Sequence, residues 1–119
     1  MSDTDALEGA LQAARVAADA DPSPDPGGLA RAGSAAIEGL RRCESHPAWR
    51  LQIPGEPDPL MDTRHGIRAA AQEVLEQLEL IKLAWPRSDP AARGEMLAEV
   101  EAAGQRLTEL ALRFTSAAG

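Results

Sequence analysis

The chain has 119 residues and a formal charge of −7, from 12 basic and 19 acidic side chains. One cysteine and two histidines exclude an intramolecular disulfide and a Cys/His zinc centre, and no apolar run approaches the roughly 20 residues that cross a bilayer. The acid excess disfavours nucleic acid and anionic membranes as partners, and the acidic MSDTDALEGALQ start is unlike a secretory leader, so a cytoplasmic location is expected.

Alanine and leucine, the best helix formers, dominate the apolar residues, while Val, Ile and Thr are too few for a β-rich domain. The expected class is therefore all-α. A single helical domain spans 1–119: an acidic helix plus Pro-rich linker over 1–28, a short helix and loop over 29–58, and a helical hairpin over 59–119.

The first helix is expected from about Asp3 to Ala20, with Ser2 and Asp5 as its cap and a stripe of Leu7, Leu11, Ala14 and Ala18. Residues 1–28 hold −5 of the charge. Three prolines between Asp21 and Gly28 end that helix and make a stiff linker. The second helix runs from about Leu29 to Glu44, with Leu29, Ala32, Ala36, Ile37, Leu40 and Cys43 on one face. His46 to Asp58, carrying Pro47, Pro54, Gly55 and Pro57, reads as a loop with a short extended piece over 49–53.

The hairpin carries the strongest signal. Each arm starts with Asp-Pro, at Asp58-Pro59 and Asp89-Pro90; aspartate caps free amides and proline suits the first helical turn. Over about 59–85, Ile67, Ala71, Val74, Leu78, Ile81 and Trp85 are spaced four and three apart. Over about 90–116, Met96, Val100, Ala103, Leu107, Leu110 and Phe114 repeat the pattern. Both are heptad seams. With Pro86 and Pro90 so close, the two must fold back as a long antiparallel hairpin.

Helices of about 26 residues are roughly 39 Å long. Two shorter helices cover only part of that length, so half of the seam would stay wet, and a second hairpin from another copy completes a four-helix bundle. A homodimer is expected on this count. The alternative is an intramolecular bundle in which the 46–58 loop plugs the gap with Trp49, Leu51 and Ile53.

Candidate chemistry is sparse. The segment His65-Gly-Ile-Arg68, continuing through Leu-Glu-Leu-Ile at 78–81, resembles the phosphoacceptor helix of the dimerisation and phosphotransfer domain of sensor histidine kinases. His65, Ile67 and Arg68 fit that pattern; Gly66 replaces its acid and Ala70 its proline. The resemblance covers the hairpin. It implies a dimeric four-helix bundle made of two hairpins, a solvent-facing phosphoacceptor at His65 and a response-regulator receiver domain as partner. No nucleotide-binding domain follows in these residues, so transfer rather than self-phosphorylation is implied. Arg64 and Arg68 flank His65 at i and i+4 and would suit a phosphoryl group or an acidic partner; the plainer reading is a solvated basic face.

Arg41 and His46 have the Arg-x4-His spacing of the helical HEPN-type ribonucleases, but Pro47 puts His46 at a helix end, where a capping role is ordinary. Glu73, Glu76, Glu79, Glu95, Glu99 and Glu101 read as solvated faces. Cys43 reads as a small hydrophobe. No metal or cofactor is expected. The leading functional expectation is a non-enzymatic regulatory or adaptor protein acting through helix association. Histidine phosphotransfer is one alternative; an acidic antitoxin or secretion chaperone that masks a basic partner is the other.

Overall fold

A computed structural model describes residues 3–20, 26–50 and 55–118. Its elements are α1 (Asp3–Ala20), α2 (Pro26–Ser45), a 3-10 turn (Pro47–Trp49), α3 (Met61–Ala84), a second 3-10 turn (Trp85–Arg87) and α4 (Pro90–Ala118). Among the described residues there is no strand, and no helix is long and apolar enough to cross a membrane. The fold is all-α: a four-helix bundle built on the α3–α4 hairpin.

Local chemistry sets most of the boundaries. Asp89 begins α4: its side chain accepts the Ala92 amide at 2.8 Å, and Pro90, which has no amide to satisfy, follows it. Asp58 accepts the Leu60 amide at 3.1 Å and its carbonyl accepts that of Met61, so Pro59 lies in a turn and α3 starts two residues beyond the Asp-Pro step. Helix α2 starts earlier than expected, at Pro26, inside the Pro-Gly stretch, because a proline is tolerated in the first turn of a helix. Of the expected α1 cap, Ser2 lies outside the described residues; the Thr4 amide instead reaches the Glu44 carboxylate of α2 at 2.9 Å. The expected extended piece is not formed at Trp49, which belongs to a 3-10 turn, and residues 51–54 lie outside the described residues.

The helices pack around a square in the order α1, α2, α4, α3. Thr4 with Glu44 and Glu8 with Arg41 make α1 and α2 antiparallel, as Glu73 with Arg106 does for α3 and α4. Helix α1 runs parallel to α3, since Asp3 and Leu7 sit by Arg68 and Ala71 while the same helix also reaches the 85–87 turn. Helix α2 runs parallel to α4. The two backbones come close at Gly104, where a Cβ would stand 3.1 Å from the Ala32 carbonyl oxygen. Helices α2 and α3 therefore stand on a diagonal of the square, and the Pro47–Trp49 turn starts across this end of the bundle, with the Ala48 carbonyl at Arg64.

Every expected seam residue but one is buried: Ile67, Ala71, Val74, Leu78, Ile81, Trp85, Met96, Val100, Ala103, Leu107 and Phe114. Leu110 is only partly buried, leaning toward Gly66 of α3, and Ala111 takes the inner place against Gly39 of α2. The coverage argument for a second copy fails here. The seam is hidden within one chain, because α1 and α2 reach far enough along the hairpin and Trp49 and Trp85 close its two ends.

Candidate functional site

Helix α3 turns its first residues in three directions. Arg64 sits one seam step before Ile67 and so points inward. It is 3 % exposed, donates to the Ala48 carbonyl at 3.3 Å, and forms an ion pair with Asp58. His65, a hundred degrees further round the helix, is exposed. Arg68 is exposed too, with its guanidinium 5.1 Å above the Trp49 ring. Trp49 meets the Phe114 ring edge-on at 5.4 Å, and His46 meets it at 5.8 Å.

Arg64 is thus not a surface partner of His65. Its guanidinium is spent on Asp58 and on the crossing link, where a bare charge would be costly to bury. His65 and Arg68 share the outer surface, with Arg68 held by Trp49. The Arg41 and His46 pair is not assembled as a joint site. Arg41 pairs with Glu8 and Glu38. His46 accepts the Ala48 amide on Nδ1 at 3.0 Å, which leaves the proton of a neutral ring on Nε2.

The other candidates resolve as follows. Cys43 is fully buried with its thiol directed at the Ala111 carbonyl, 3.7 Å away. Burial pushes that thiol up to about 11, and the Glu44 charge adds to the rise, so it is no nucleophile at neutral pH. No group of three or more His, Cys, Asp or Glu among the described residues could hold a metal ion. Glu73 pairs with Arg106 across the hairpin. An open trough of about 620 Å³ lies between α2 and α4, walled by Arg31, Glu101, Gln105 and Glu109.

The chain matches no family model, no curated protein and no solved structure.

Two features escaped the sequence reading, and both had a readable signal. Arg64 and Arg93 each lie three residues before the first apolar seam residue of their helix, Ile67 and Met96, so extending the heptad backwards places both inside. Leu80 and Leu83 lie two residues beyond the seam positions Leu78 and Ile81, a step of two hundred degrees, which turns them to the outer face. They are 46 % and 70 % exposed.

Proposed function

We propose that this chain is a non-enzymatic regulatory or adaptor module that binds another protein through the outside of its bundle. One observation carries the reading. The bundle hides its heptad seam internally, Leu110 alone being only partly buried, yet it leaves Leu80 and Leu83, one turn apart on α3, facing solvent. A leucine pair that the fold does not use is surface available for association.

A photo-cross-linking residue in place of Leu83 tests this in the native host, with the same residue in place of exposed Gly9 on α1 as control. A discrete adduct with a second polypeptide at position 83, absent at position 9, is expected. Equal adducts at the two positions, or none at 83, would overturn the reading.

The exposure of His65, with the Arg68 cation fixed one turn away over Trp49, favours phosphotransfer as the second reading. Here the His65 imidazole would attack the phosphorus of a receiver aspartyl phosphate, and the aspartate carboxylate would leave. Incubation with a phosphorylated receiver domain should label the protein and leave His65→Ala unlabelled; equal labelling of both removes the reading.

A further inference from the structure

We infer that the outer face of the α3–α4 hairpin near its turn is the docking face, and that its occupant is a basic amphipathic helix of a partner protein. The inference rests on the association reading above and gives it a place and a chemistry. With Val74, Leu78 and Ile81 in the core, helical geometry puts Glu76, Glu79, Leu80 and Leu83 on the far side of α3, and all four are exposed.

The register of the hairpin supplies the other wall. Glu73 meets Arg106 and Trp85 meets Arg93, so residue numbers across the pair sum to nearly the same value. Leu80 then stands across from Glu99, and Leu83 across from Glu95. Both of those glutamates are exposed. Glu99 is two turns from Arg106 on the same flank, and its charge is felt there.

The leucine pair is thus framed by Glu76 and Glu79 on one helix and by Glu95 and Glu99 on the other. None of the four is in an ion pair among the described residues; Glu76 accepts only the Gln72 side-chain amide, at 3.4 Å. Lys82, the nearest base on α3, sits on the α1 flank.

This frame selects the occupant. A second copy docking through the same face would set four carboxylates against four, and an anionic lipid surface would be repelled in the same way. A helix with leucines at three- and four-residue spacing and lysines or arginines beside them would fill the apolar stripe and meet the frame with opposite charge. Such charge pairing acts chiefly on choice of partner and rate of capture.

Two synthetic peptides test the assignment against the full isotope-labelled chain by amide chemical shifts: a leucine–lysine amphipathic helix, and a leucine–glutamate helix with the same apolar face. The lysine peptide should move resonances of 76–83 and 95–99 and leave those of α1 unmoved. The glutamate peptide should not bind. Glu76→Lys with Glu99→Lys should weaken the lysine peptide about tenfold at low salt, and Leu83→Ser should weaken it with little effect on thermal stability. These are surface changes, and an unchanged melting temperature keeps them interpretable.

Four results would overturn the inference: equal binding of both peptides, binding of neither, shifts spread over all four helices, or self-association of the protein alone that Leu83→Ser abolishes. If neither peptide binds while position 83 still cross-links a polypeptide in the host, the basic-helix assignment falls and the association reading stands. If the lysine peptide binds and no host adduct forms, the association reading fails and the charge preference stands.

Discussion

The two ends of the bundle are built from the same parts and closed in different ways. Each has a tryptophan and a buried arginine set three residues before the first seam residue of a helix that follows an Asp-Pro step. At the turn end the parts are local. Arg93, 7 % exposed, donates through Nε and Nη2 to the Trp85 carbonyl at 3.0 and 2.9 Å and lies 5.1 Å over the Trp85 ring, all within one tight reversal. At the other end they come from far apart: Trp49 arrives on the diagonal link, and Arg64 holds that link by its Ala48 carbonyl and by Asp58. A short closure costs little chain entropy and a long one costs more, so the crossing end should open first.

The largest expected effect tests that asymmetry directly. Trp85→Ala should cost about 4 kcal/mol, lowering the denaturant midpoint of the whole molecule. Trp49→Ala should cost about 3 kcal/mol or somewhat less, and it should also speed amide exchange selectively at the start of α3 and around Phe114. Uniform loss of protection in both variants would break the comparison.

Next comes the ion pair. Arg64→Met should cost about 3 kcal/mol, because it leaves the half-buried Asp58 carboxylate without its cation. Adding Asp58→Asn should recover most of that loss, and a double-mutant cycle from chemical denaturation reads the coupling. Independent, additive losses would show that Arg64 acts only by filling space.

The crossing end also carries a pH dependence. Cys43 lies near it, its thiol raised from about 9 to about 11 by burial first and by Glu44 second. At neutral pH the thiol is protonated folded and unfolded. Between about 9 and 11 the unfolded chain releases the proton and the folded chain keeps it. Stability should therefore fall through that window, by roughly 2–3 kcal/mol at its top. Cys43→Ala should flatten the decline in urea midpoints over the same range. An unchanged slope would place the titrating group elsewhere.

Much of this architecture was legible. Heptad spacing located both long helices and their share of the core, the apolar stripes of α1 and α2 located most of the rest, and the Asp-Pro steps marked the start of α4 and fell two residues short of that of α3. What failed was the inference from helix length to a dimer. Length alone could not decide whether one chain covers the seam; the alternative, in which Trp49 plugs the gap from the 46–58 loop, is the one that the buried Trp49–Phe114 contact supports. Leu110 went astray for a related reason. A strict heptad drifts on a straight 3.6-residue helix, so past Leu107 the inner place passed to Ala111. The site was less legible than the fold. His65 was correctly placed on the surface, but charge was read as exposure at Arg64, where burial with a paired carboxylate was the outcome.

The smallest effects separate the two arginine–tryptophan contacts, which share a 5.1 Å spacing and differ in exposure. A cation over an indole ring is worth about 0.5–1 kcal/mol in water and about 2 or more when desolvated. Arg68→Met, at the exposed crossing end, should thus cost about 0.5 kcal/mol, and His65→Ala close to nothing. Arg93→Met should cost about 2 kcal/mol, since it also strips a buried carbonyl of two donors. Thermal melts rank the three, and the rank matters for function as well as fold. If His65→Ala and Arg68→Met leave the bundle intact, any loss of phosphate transfer or partner capture in those variants belongs to the surface itself. If Arg68→Met destabilises as much as Arg93→Met, the two ends are energetically alike, and the distance its parts travel along the chain does not govern how firmly an end is shut.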